Sequence, residues 1–185
     1  MVDTQAQGVA PAICLINPKT EINVGMVVRL ASCYGISQVW WTGHRVNLDR
    51  SGKRRLPREE RLRGYQDVTM IQHDRPFDHF PGAVPVAVEV RENAENLLAF
   101  EHPENALYVF GPEDGGLRAV DVRHCHRFLI IPTDHCLNLA TAVATVLWDR
   151  TVKAHLNGDV SRVGRSPATC ENRGFVDSPI VEEVP

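Results

Sequence analysis

The run LYVFGPEDGGLRAVDVRHCHRFLIIPTDHCLNLATAVATVLWD, residues 107–149, decides the fold. Two apolar, strand-like segments, residues 107–110 and 128–131, each stop abruptly at a loop. The first loop is Gly111-Pro112-Glu113-Asp114-Gly115-Gly116 and the second is Pro132-Thr133-Asp134-His135-Cys136. A long apolar helix then begins near Leu137-Asn138 and is expected to reach His155. Loops at the carboxyl ends of neighbouring strands are where α/β sheets bind ligands. Glycine lets backbone approach a ligand closely, and exposed N–H and C=O groups there read polar groups without a side chain.

Upstream the same alternation continues. Residues 12–16 (AICLI) form a continuous apolar run, the mark of a strand buried on both faces. Pro18 ends it, because proline cannot join a central ladder. Asn23 is the expected N-cap of a helix over residues 24–34, stopped by Gly35, with Met26, Val27, Leu30, Ala31 and Tyr34 as its core face. Further strands are expected over 37–41, 68–71 and 85–88, a helical turn over 77–80, and helices over 93–100 (Leu97, Leu98 and Phe100 inward) and 117–124. Strands alternating with helices predict an α/β fold with a mostly parallel sheet flanked by helices.

The last helix is apolar almost all round as far as Trp148, so it is expected to be covered on two sides. One cover is its own sheet; the simplest second cover is another copy of the chain, with Val143 at the contact. Residues 1–10 read as a flexible lead, 11–156 as one domain, and 157–185 as a tail with no periodicity.

The chain has 185 residues and a formal net charge of -3, so no global basic field advertises nucleic acid. No basic-then-apolar leader and no membrane-length apolar run stands out, which with five scattered cysteines predicts a cytoplasmic protein with reduced, packed thiols. The positive charge is concentrated instead. Residues 44–64 contain Arg45, Arg50, Lys53, Arg54, Arg55, Arg58, Arg61 and Arg63 against only Asp49, Glu59 and Glu60. A loop of that density beside a ligand-binding sheet edge is a candidate footprint for RNA phosphates, with a short helix expected over 58–63.

The stretches FGPE…GGL, IIP and CLNLATAVA, preceded by Asn17-Pro18, Asn23-Val24-Gly25, Arg29 and Gly35, together resemble the three signature motifs of the SpoU/TrmH-type RNA methyltransferases of the SPOUT superfamily. The motifs stand in the family's order and cover most of residues 13–150. The resemblance implies a C-terminal trefoil knot, which neither composition nor periodicity reveals. It implies methyl transfer from S-adenosylmethionine (SAM) to a ribose 2′-hydroxyl of RNA, and a homodimer formed through the first and last helices. With no separate RNA-binding extension expected, the chain is similar to minimal members of the family, several of which act on tRNA; tRNA is therefore favoured over rRNA.

By the same resemblance SAM is held by Val88, Gly111, Ile131, Cys136 and Leu137, all loop or strand-end positions. Arg29 matches the family's catalytic arginine. Because a guanidinium stays protonated, its expected role is to bind the phosphate beside the target ribose and stabilise developing negative charge. Asn23, Glu113 and Asn138 match the remaining motif positions. Glu113 is expected to accept hydrogen bonds from Arg29 or from loop backbone, and Asn138 to cap the long helix. Many relatives have serine where this chain has Cys136, and a thiol is the poorer donor. That departure favours the main rival, a non-catalytic RNA-binding or assembly protein on the same fold. A generic nucleotide-binding domain should show a glycine-rich phosphate loop after the first strand, and Asn17-Pro18-Lys19-Thr20 is not one. No metal is expected, since His124-Cys125-His126 with His135-Cys136 matches no common zinc spacing.

Overall fold

A computed structural model of the chain describes residues 8, 10–46 and 68–159. The expected phosphate contacts Arg50, Lys53, Arg54, Arg55 and Arg58, the helix over 58–63, and most of the tail lie outside the described residues.

Strand β1 (Ala12–Leu15) leads into helix α1 (Glu21–Cys33), then β2 (Gln38–Trp41), β3 (Thr69–Gln72) and a 3₁₀ turn at Pro76–His79. β4 (Val84–Val88), the two-residue β5 (Glu95–Asn96), β6 (Ala106–Phe110), the short α2 (Ala119–Val122), β7 (Arg127–Ile130) and α3 (Leu139–Leu156) complete the described chain. The seven strands form one sheet in the order β3-β2-β1-β6-β4-β7-β5. Every pairing is parallel, as the strand–helix alternation predicts.

β1 is buried on both faces, and its side chains divide by the period of two. Ile13 and Leu15 join the core under α1 and α3, with Val24, Val27, Val28, Ala31, Val143, Val146 and Leu147. Cys14 and Ile16 join the opposite core, with Trp40, Phe80, Ala87 and Val109.

Four local expectations are corrected. α1 is capped by Thr20, whose Oγ1 accepts from the Asn23 amide at 3.3 Å, so Asn23 sits inside the first turn. The buried stripe of α1 is Val24-Val27-Val28-Ala31, an i, i+3, i+4, i+7 set; Met26 is turned outward and Leu30 and Tyr34 are only partly covered. The helix expected over 93–100 is absent. Glu95 and Asn96 instead pair with Leu129 and Ile130 of β7, and the Asn96 side chain caps a 3₁₀ turn at Leu97–Ala99 by accepting from Leu98 N at 2.9 Å. That turn buries Leu97 and Phe100, three apart, and leaves Leu98 exposed.

α3 is the fourth. Leu139, Ala140, Val143, Val146, Leu147 and Arg150 are buried within this single chain, while Thr141 and Trp148 are exposed. Its cover is therefore one-sided, and Val143 belongs to the chain's own core. Among the described residues the cysteines also divide: Cys14 and Cys125 are buried, Cys33 and Cys136 are exposed. Burial raises the Cys14 thiol well above its ordinary range and pushes Cys125 up to about 12, so both stay protonated.

Candidate active site

The carboxyl ends of β4, β6 and β7 lie side by side, and a cavity of about 690 Å³ opens over them. Its walls are built from three loops: Val88, Glu89 and Val90 after β4; residues 110–116 after β6; and residues 130–137 after β7, with Leu139 and Ala142 from α3 behind them. Val88, Gly111, Ile131, Cys136 and Leu137, which are 49 positions apart at their extremes (137 minus 88), all line it. The size and the largely apolar wall with a few polar groups suit a nucleoside-sized ligand. The wall is also shaped by backbone. A Cβ on Gly111 would lie 2.7 Å from the Gly116 carbonyl carbon and 2.8 Å from Leu117 N, so only glycine permits the loop to fold back on itself there.

At one rim of the cavity the motif residues form a polar chain. Asn138 caps α3, its Oδ1 accepting from Ala140 N at 2.9 Å and Thr141 N at 3.4 Å. Its Nδ2 then donates to Asn23 Oδ1 at 3.1 Å, and Asn23 Nδ2 donates to Glu113 Oε1 at 2.6 Å. Glu113 Oε2 accepts from Lys19 N at 2.8 Å. Burial alone would raise the Glu113 pKa, but the Asn23 side chain, its own backbone, the Lys19 amide and the nearby Arg45 charge outweigh it and hold the carboxyl below its ordinary range. The chain joins α1, the β6 loop and the start of α3, three motifs that are far apart in sequence.

Arg29 stands on the exposed side of α1, about one and a half turns past Asn23, and does not line the cavity. The donors that hold Glu113 are Asn23 and Lys19. Arg45, expected on phosphate, makes a bidentate ion pair with Asp114 at 2.9 and 2.8 Å. That pairing takes the Asp114 pKa down to about 2. Lys19 Nζ lies 3.7 Å from the same carboxylate. Among the described residues no group of three or more His, Cys, Asp or Glu side chains stands together as a metal site.

Two residues of the site escape a reading of the sequence. Lys19 contributes through its backbone amide, which side-chain chemistry cannot announce. Glu89 lines the cavity, and its position directly after an apolar strand was the available signal.

A parallel sheet with a cavity over three strand ends, rimmed by an Asn–Asn–Glu chain, defines an α/β protein with a strand-end site for a nucleoside-sized ligand. The chain belongs to the SpoU rRNA Methylase family, which it matches over residues 10–148. It is 26% identical over 155 residues to tRNA (cytidine-2'-O-)-methyltransferase TrmJ of Methanocaldococcus jannaschii, an alignment covering 75% of this chain and 66%, just under two thirds, of that protein. The fold is that of the A. aeolicus TrmH/SpoU tRNA modifying enzyme, with a TM-score of 0.69 at 17% identity over 89% of this chain and 85% of that one. It is also that of AviRb from Streptomyces viridochromogenes, solved in complex with AdoMet, with a TM-score of 0.65 at 16% identity over 85% of this chain and 66% of that one.

Proposed function

We propose that the protein is a SAM-dependent RNA methyltransferase that methylates a ribose 2′-hydroxyl, with tRNA as substrate, acting as a cytoplasmic homodimer. Family membership supports the reaction class, and the relative that acts on tRNA supports the RNA. The observation that carries the reading is the cavity itself: Val88, Gly111, Ile131, Cys136 and Leu137 surround it, and the Asn138–Asn23–Glu113 chain closes its rim. When bound there, SAM supplies an electrophilic methyl group on a sulfonium.

The protein's own residues bind and orient. Apolar side chains at the ends of β4, β6 and β7 exclude water from the adenosine half of the ligand, and the glycine-bounded loop after β6 offers backbone groups to it. Arg29, exposed on α1, holds the phosphate next to the target ribose and stabilises charge developing on its oxygen. Arg50, Lys53, Arg54, Arg55 and Arg58 hold further phosphates. α1 and α3 pack on each other and expose Ile22, Met26 and Trp148, the apolar side chains through which two copies meet. The trefoil knot remains what the family resemblance implies. No described helix is long and apolar enough to cross a membrane.

The test is methyl transfer from labelled SAM to bulk tRNA and rRNA, followed by digestion and mass spectrometry of nucleosides. A 2′-O-methylated nucleoside in the tRNA fraction is expected; a base-methylated product overturns the ribose chemistry, and an rRNA product overturns the substrate. Arg29→Ala should abolish transfer and leave SAM affinity within about twofold, since a group that acts only on RNA removes no cofactor contact.

A further inference from the structure

Glu89 is a carboxylate of the cavity wall that the motif chain does not use, and its side chain reaches the end of the β6 loop. It follows β4 directly and is half-buried. Its Oε1 accepts from Val90 N at 3.0 Å and its Oε2 from Leu117 N at 2.7 Å. The loop is built to meet it: Gly116 has φ +66°, and a Cβ there would lie 2.8 Å from Oε2. Among the described residues these two backbone amides are the partners its carboxylate has, and no cation pairs with it.

The rest of the described wall brings no fixed positive charge to it. Among the described residues its other ionisable side chains are Glu113, Asp134, His135 and Cys136, and no described lysine or arginine lines it. Glu113 is already occupied by Asn23 and Lys19. A cavity walled by carboxylates, one of them fixed in place without a counterion among the described residues, is complementary to a cationic ligand.

Resting on the cofactor reading above, we propose that Glu89 is a specificity-determining residue that makes the cavity prefer the positively charged sulfonium cofactor over its neutral thioether product. Transfer breaks the carbon–sulfur bond, leaves the electron pair on sulfur and forms the new oxygen–carbon bond, while the hydroxyl proton passes to water. The ligand thereby loses the charge that Glu89 attracts, and the product is released more readily than the cofactor.

Titration calorimetry with SAM, S-adenosylhomocysteine and sinefungin tests this without turnover. Sinefungin carries an amine, cationic at neutral pH, where SAM carries the sulfonium methyl. Glu89→Gln keeps an acceptor for Leu117 N–H and removes the charge. Its expected effect is a loss of about fivefold to tenfold in affinity for SAM and sinefungin, with affinity for S-adenosylhomocysteine within about twofold. Glu89→Asp, which keeps the charge, should retain most of the preference. Equal losses on all three ligands would make Glu89 a strut for the Leu117 amide and overturn the proposal, as would no loss at all. Should Glu89→Gln lack a cooperative melt, the wild-type protein decides: sinefungin must bind severalfold more tightly than S-adenosylhomocysteine, and an equal or reversed ranking overturns the discrimination. A wild-type protein that binds none of the three overturns the cofactor reading itself, an outcome separate from any behaviour of the variants.

Discussion

The asparagines of the rim are oriented by what they must satisfy. Asn138 Oδ1 is committed to the amides that open α3, so its Nδ2 has to donate, Asn23 has to present its oxygen to it, and Asn23 Nδ2 has to face Glu113. The chain ends on Glu113, both of whose oxygens accept, and the lowered Glu113 pKa favours the ionised state that suits this. Asn23→Asp inverts the last link, setting carboxylate against carboxylate where a 2.6 Å hydrogen bond stood. Asn23 is buried, so the expected cost at pH 7 is about 1–3 kcal/mol in urea unfolding. The sign of its pH dependence follows. Repulsion raises one carboxyl's folded pKa, the folded state then binds a proton more readily than the unfolded chain, and the penalty relative to wild type shrinks between pH 7 and 5. The identities of these residues were legible in the sequence because each sits in a motif. Their pairing was legible only in part: Glu113 does accept from loop backbone, the Lys19 amide, which was one of its two expected donors beside Arg29, but Asn23 was expected to cap α1. Thr20 takes the cap instead, and that frees the Asn23 side chain for the rim.

At the scale of elements, what fastens α3 to the sheet is a buried polar network that no motif marks. Arg150 Nη1 donates to the Tyr108 hydroxyl at 2.9 Å, and its two terminal nitrogens donate to Pro103 O and Glu104 O at 2.6 and 2.9 Å. The Tyr108 hydroxyl lies 2.7 Å from His102 Nδ1, and His102 Nε2 lies 2.8 Å from Asp149 Oδ2. These directions agree with one tautomer: Nε2–H donates to Asp149, and Nδ1 accepts from Tyr108. Tyr108→Phe leaves a buried imidazole nitrogen and a buried guanidinium short of a partner, and should lower stability by about 1–3 kcal/mol with the fold retained. Burial lowers the His102 pKa from its ordinary 6.5, aided by Arg150 and Lys153, and outweighs the Asp149 hydrogen bond that acts the other way. Well above pH 6.5 both folded and unfolded forms are neutral and the full contribution is present. As pH falls below that value the unfolded chain takes up the proton first, so stability declines; melting temperature measured between pH 7.5 and 5.5 should drop, and His102→Gln should flatten the slope. The strands and the strand-end cavity were within reach of hydrophobic patterning, because apolar runs ending at glycine or proline are local signals; the order in which the strands pair was not, since it rests on contacts between distant segments. The 93–100 segment was not. Its two-residue strand owes its existence to the free edge of β7, a partner more than thirty residues away, and tertiary pairing overrode a helical spacing of leucines.

At the scale of the whole molecule, the apolar surface of α3 has to be divided between what this chain covers and what a partner would cover. The sequence made the helix look apolar all round, and on that view Val143 was a contact residue. Its complete burial inside one chain changes the experiment. Val143→Glu would place a charge in the core beneath α1 and should unfold the protein, giving no information about assembly. The informative position is Trp148, which is 60% exposed on a helix packed against α1, where Ile22 is 59% and Met26 37% exposed. Large exposed apolar side chains on two packed helices, in a chain whose formal net charge is only -3, favour self-association. Trp148→Glu should therefore halve the mass read by light scattering while leaving the melting transition of the isolated protomer cooperative. SAM titration of that monomer then separates two arrangements. Unchanged affinity means that each protomer closes its own cavity. Lost affinity means that the partner orders the loops over it. A wild-type protein already monomeric at micromolar concentration would remove the dimer from the proposed function and leave Ile22, Met26 and Trp148 as surface to be covered by RNA or by another protein.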